Sequence, residues 1–68
     1  MQLSARNQLA GTITNVKLGT VMAEVVLKVG DNEIVAAITR ASAERLGLKV
    51  GDPAVAVIKA TEVLIGKE

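Results

Sequence analysis

Cysteine, histidine, phenylalanine, tyrosine and tryptophan are all missing from this 68-residue chain, and proline occurs once. Without cysteine no disulfide can staple the fold, and without cysteine or histidine a zinc or other soft-metal site lacks its usual ligands. The same absence fits a reducing cytoplasm and removes the commonest general base and the thiol nucleophile from any catalytic scheme. Without aromatic side chains there is no stacking platform for single-stranded nucleic acid. Neither sign of charge is in excess: eight Lys and Arg stand against seven Asp and Glu, a net +1, spread too evenly to build the basic face that phosphate backbones demand. No stretch reaches the roughly 20 apolar residues of a membrane span. The N-terminus also lacks the basic-then-apolar order of a signal peptide. The chain therefore reads as soluble and cytoplasmic, with neither a nucleic-acid nor a membrane partner.

What is present is aliphatic. Half of the residues are hydrophobic, and all of that surface comes from Ala, Val, Ile, Leu and Met. Sixty-eight residues suffice for a single domain, residues 1–68. A monomer of this size buries only roughly 60% of its unfolded surface. The aliphatic surplus is thus expected to form subunit interfaces, making the protein an oligomer.

Along the chain, Gln8 to Val16 is expected to be a strand, with Leu9, Gly11, Ile13 and Asn15 alternating against Gln8, Ala10, Thr12, Thr14 and Val16. Lys17-Leu18-Gly19 reads as a turn. Thr20 to Val29 is a clearer strand, with Val21, Ala23, Val25, Leu27 and Val29 on one face. Gly30-Asp31-Asn32 then turns the chain into Glu33 to Thr39, completing a β-hairpin. Ile34 to Ile38 is apolar at every position, so this strand must be covered on both faces. Arg40 to Leu46 is the one helix candidate, with Thr39 as N-cap and Gly47 as its left-handed terminator. After a loop through Gly51-Asp52-Pro53, Ala54 to Lys59 forms a fourth strand and Thr61 to Ile65 a short fifth, with Gly66 to Glu68 fraying. The order β-β-β-α-β-β is that of an all-β, five-stranded Greek-key barrel of the oligonucleotide/oligosaccharide-binding (OB) type with one short helix.

Nothing in this order carries catalysis. The acids Glu24, Asp31, Glu33, Glu44, Asp52, Glu62 and Glu68 are scattered, whereas acid–base work needs two titratable groups at fixed spacing in a desolvated pocket. The chain is expected not to be an enzyme. Anion binding fares better. Ser4-Ala5-Arg6-Asn7-Gln8 clusters a fixed cation with neutral donors, a set suited to a tetrahedral oxyanion, although a polar start also fits plain solvated chain. Lys59 at a strand end is either a snorkelling residue or a cation aimed inward. Thr39 and Ser42 flank the helix start, as ordinary caps or as anion ligands. Whether Ser4/Arg6, Thr39/Ser42 and Lys59/Thr61 meet is left open by spacing alone.

Ser4-Ala5-Arg6-Asn7-Gln8-Leu9-Ala10-Gly11, followed by Ala23-Glu24-Val25, Ile38-Thr39 with Ser42, Leu46-Gly47-Leu48 and Val57-Ile58-Lys59-Ala60-Thr61-Glu62-Val63, resembles the molybdenum-pterin-binding protein (Mop) family, or molbindins, in their free-standing single-domain form. The likeness runs in order along essentially the whole chain. It implies an OB-type barrel assembled as a homohexamer, a trimer of dimers, that binds the oxyanion molybdate or tungstate at subunit interfaces and serves intracellular storage and homeostasis. Position by position, Ser4, Arg6 and Lys59 match the family's oxyanion ligands, and Thr39 and Ser42 match ligands that a neighbouring subunit contributes. Ala60 stands where many members have serine, which leaves only a backbone N–H at that position. No pterin site is expected, because no aromatic is present to stack on the ring. An alternative reading is a molybdate-sensing accessory module that docks on a transporter or regulator protein.

Overall fold

The computed structural model describes residues 1–68. Four strands, β1 (Asn7–Leu18), β2 (Met22–Val29), β3 (Asn32–Thr39) and β4 (Pro53–Ile58), form one sheet in the order β3-β2-β1-β4, with every neighbouring pair antiparallel. A short helix, α1 (Arg40–Leu46), joins β3 to β4 and lies against β2 and β3.

β1 organises the sheet because it serves two partners in succession. Its first half pairs with β4, from Asn7 opposite Ile58 to Thr12 opposite Pro53. Its second half pairs with β2, from Thr12 opposite Lys28 to Leu18 opposite Ala23. The hand-over is marked by a β-bulge at Thr14: Ile13 faces Leu27 and Asn15 faces Val26, leaving Thr14 as the extra residue. A bulge bends its strand and increases the local twist. It also reverses side-chain parity, so that Val16, not Asn15, joins Ile13 in packing on the core. The uninterrupted alternation expected for this strand is corrected accordingly.

The core is small. Ile13, Val25 and Leu27 are buried together, and Val16, Val29, Ile34, Ile38, Leu48, Ala54 and Ala56 pack around them. Ala23 and Ala43 are also buried, for a total of five of the 68 residues. The β2 face expected from alternation is observed at Ala23, Val25, Leu27 and Val29, but Val21 falls in the preceding turn and is exposed. There the Gly19 N–H bonds the Met22 carbonyl at 2.8 Å, closing the β1–β2 connection two residues later than expected. β3 turns Ile34, Ala36 and Ile38 inward and leaves Val35 and Ala37 exposed.

The helix forms over the expected residues, and both caps act as expected. Thr39 is extended (φ −71°, ψ 147°) and its Oγ1 accepts from the Ser42 N–H at 3.1 Å. Gly47 is left-handed (φ 63°), and the Gly47 and Leu48 N–H groups bond the carbonyls of Glu44 and Ala43, the paired bonds of a Schellman ending. Arg40 ties the helix back to the sheet: its N–H bonds the Val21 carbonyl at 2.8 Å, and its guanidinium reaches both the Gly19 carbonyl and Glu44.

The expected fifth strand does not form. The Glu62 N–H bonds the Lys59 carbonyl at 2.9 Å and the Val63 N–H bonds that of Ala60, which curls Ala60–Glu62 into a 3-10 turn. Val63 to Ile65 have no strand within the chain to pair with, and Leu64 and Ile65 stand 92% and 90% exposed. The sheet therefore has four strands. An apolar cavity of about 320 Å³ is lined by residues of all four strands together with Leu46 and Leu48. No helix is long and apolar enough to cross a membrane.

Candidate functional site

The rung that pairs Asn7 with Ile58 closes the β1–β4 ladder. The residues just before β1 and just after β4 therefore leave the sheet side by side, however far apart they lie in sequence. They line one depression of about 450 Å³, formed by Ser4, Ala5, Arg6, Lys59, Ala60 and Thr61. Four of the expected site residues, Ser4, Arg6, Lys59 and Ala60, are thus brought together by the topology. Ala5 and Thr61 complete the lining. Ala5 carries no side-chain signal that could have marked it in the sequence.

The chemistry of this lining is one-sided. Arg6 and Lys59 carry fixed cations, Ser4 and Thr61 carry hydroxyls, and no carboxylate is present. Neither cation is neutralised within the chain, where the one salt bridge joins Arg40 to Glu44 at 3.1 Å. The hydroxyls of Ser4 and Thr61 make no hydrogen bond to the rest of the chain. Guanidinium and ammonium are donors only, and a hydroxyl rotates to donate. The depression therefore offers donors and positive charge, a surface suited to an anion with several acceptor oxygens.

The other two hollows differ. The cavity beneath the sheet is lined by apolar residues alone and offers an anion nothing. A third, near Lys17, Met22 and Ala37, sets Glu24 directly opposite Lys17 across β1 and β2, so its charges cancel. No group of three or more Asp, Glu, His or Cys is placed to hold a metal ion.

Two parts of the expected donor set lie elsewhere. Thr39 and Ser42 do not line the depression; at the helix start the Thr39 hydroxyl donates to Ser42 Oγ at 2.8 Å while accepting from the Ser42 N–H. Asn7 and Gln8 were expected to add neutral donors around Arg6, and neither lines the hollow. Gln8 spends its amide internally, donating from Nε2 to the Ala5 carbonyl at 2.7 Å.

Comparison with known proteins places the chain in a family. Residues 3–65 match the family model described as the TOBE domain. The chain is 48% identical over 66 residues to molybdenum-pterin-binding protein 1 of Clostridium pasteurianum, covering 96% of this chain and 97% of that one. The chain belongs to the molbindin family. Among solved molbindin structures, a molybdate-binding protein from Sporomusa ovata superimposes with a TM-score of 0.93 at 43% identity, over 98% of this chain and 100% of that one. The cytoplasmic molybdate-binding protein ModG, solved with molybdate bound, superimposes with a TM-score of 0.83 at 46% identity, over 88% of this chain and 43% of that one. Molbindins are binding proteins and not enzymes, in keeping with the scattered acids. Their OB-like architecture is shared by this sheet and helix.

Proposed function

We propose that this molbindin binds molybdate, with Ser4, Arg6, Lys59 and Ala60 forming one part of the site. The observation that carries the reading is the acid-free depression holding Arg6, Lys59 and two unpaired hydroxyls. Molybdate is a tetrahedral dianion that only accepts hydrogen bonds, and such a surface offers it two cations and two hydroxyls able to donate. Hydrogen phosphate must also donate a hydrogen bond, and finds no carboxylate to accept it. Tungstate has the same charge and shape and binds alongside molybdate. Ala60 contributes its backbone N–H. The relatives support the anion: the Sporomusa ovata protein is a molybdate-binding protein, and ModG was solved with molybdate in place.

The site lies at an interface. Within one chain the depression is shallow and its polar side chains are exposed, whereas charge-assisted hydrogen bonds strengthen when water is excluded. A neighbouring subunit would cover it and supply Thr39 and Ser42. The exposed aliphatic surface supports such assembly: Val35, Leu46, Val50, Leu64 and Ile65 are each at least 62% exposed, against a core of five buried residues. A homohexamer built as a trimer of dimers, acting in the cytoplasm to store molybdate and buffer its level, fits these observations. Residues 1–68 act in it as one unit, without a pterin cofactor.

The test is calorimetric titration with molybdate, tungstate, sulfate and phosphate, paired with native mass spectrometry. Saturable molybdate binding to an assembly several times the 7.0 kDa of one chain, with phosphate unbound, is expected. A monomer that takes up no molybdate would overturn the proposal.

A further inference from the structure

We infer that Gln8 is a positioning residue for the anion site, holding Arg6 in place through the peptide that precedes it. The inference rests on the oxyanion reading above. β1 begins at Asn7, so Ser4, Ala5 and Arg6 lie outside the sheet. Outside the β ladder, the single hydrogen bond that reaches residues 1–6 is the one from Gln8 Nε2 to the Ala5 carbonyl, at 2.7 Å. That carbonyl belongs to the peptide plane whose nitrogen is Arg6's own, so fixing it fixes the direction in which Arg6 leaves the backbone. Gln8 itself is anchored, sitting within β1 opposite Val57 of β4.

A clamp is needed at this point because of charge. Arg6 and Lys59 line the same hollow with no acid between them, so in the anion-free protein like charge disfavours keeping the N-terminal arm at the site. The arm has no buried apolar anchor to resist it: Met1, Leu3 and Ser4 are exposed and Ala5 is half-buried. The Gln8 amide holds the arm against that repulsion. It keeps the donors of Arg6 near their bound positions before the anion arrives, which lowers the ordering cost of binding. The amide is thus occupied in the free protein and is not a ligand.

The experiment is a double-mutant cycle read by molybdate calorimetry at fixed ionic strength. Gln8→Met keeps the length and flexibility of the side chain and deletes its donor. It is expected to weaken molybdate binding about fivefold, the effect of one hydrogen bond, with the melting temperature unchanged. In an Arg6→Ala background the same change is expected to do nothing further, because the residue being positioned is gone. The NMR order parameter of the Arg6 N–H vector in the anion-free protein is expected to fall in Gln8→Met. Wild-type affinity in Gln8→Met, an equal loss with and without Arg6, or an unchanged order parameter at Arg6 each overturns the inference while leaving the oxyanion reading intact. Undiminished affinity in Arg6→Ala alone overturns the oxyanion reading, and this inference with it.

Discussion

Gly11 runs so close to the Lys28 carbonyl that a Cβ at this position would overlap the oxygen, and it would also come within 2.9 Å of Val29 Cγ2. The contact falls where β1 pairs with β4 while its other end is already bound to β2. Relief would require moving backbone, because the atom in the way belongs to the β2 main chain. Gly11→Ala is expected to destabilise the fold by about 3 kcal/mol, the upper range for overpacking. Against the marginal stability of a small domain that is a large fraction. Urea unfolding of the two proteins side by side measures it.

Arg6→Ala and Lys59→Ala are each expected to weaken molybdate binding about 10- to 100-fold, the range for losing hydrogen bonds to a charged partner. Arg6→Lys keeps the charge but loses the planar fork of donors, so it should recover only part of the loss. Both positions are exposed in the chain, so the melting temperature without anion should not fall. Titration calorimetry, with thermal melts of the anion-free proteins, separates the two effects.

Thr39→Ala removes the hydroxyl that caps the helix and bonds Ser42. A loss of about 1 kcal/mol of stability is expected, and Thr39→Ser should restore it. If a neighbouring subunit presents Thr39 to the anion as proposed, molybdate affinity falls as well. Wild-type affinity in Thr39→Ala would remove this residue from the site.

Val35 stands 62% exposed on the outer face of β3, directly opposite the half-buried Val26. In an isolated chain a charge at such a position would change stability by no more than about 0.5 kcal/mol. In an assembly that covers it, Val35→Asp buries an unpaired carboxylate. Sedimentation is expected to show a large species for the parent protein and a smaller one for the variant.

Local patterns made much of this fold legible. The β2–β3 hairpin and the helix with both caps follow from signals a few residues long, such as Gly30-Asp31-Asn32 between two strands, or Thr39 and Gly47 bracketing Arg40 to Leu46. The bulge at Thr14 has no such signal, because it is set by how β1 divides itself between two partners. Thr61 to Ile65 has the composition of a strand, but composition does not supply a neighbour, and the chain offers none. In the candidate site, Ser4, Arg6 and Lys59 stand out by residue type. The internal use of the Gln8 amide was hidden, since a glutamine beside an arginine looks the same whether its donors are free or spent. The separation of Thr39 and Ser42 from the depression was hidden for a related reason. It depends on strand order, which brings the start of β1 to the end of β4 and leaves Thr39 at the end of β3 beside Met22 of β2, and no spacing along the chain encodes that order.

The rung joining Asn7 to Ile58 has a consequence for how and when the protein becomes competent. Its two halves come from opposite ends of the chain, so no partly synthesised chain, and none with β4 detached, possesses the anion site. Forming that contact carries the entropic cost of closing nearly the whole polypeptide into a loop. On the proposed reading, anion occupancy reports a completed fold, and bound molybdate would feed its binding free energy back into the stability of the whole sheet by mass action. Under the proposed function, a cell rich in molybdate would hold these chains folded longer, the bound anion protecting the fold that binds it.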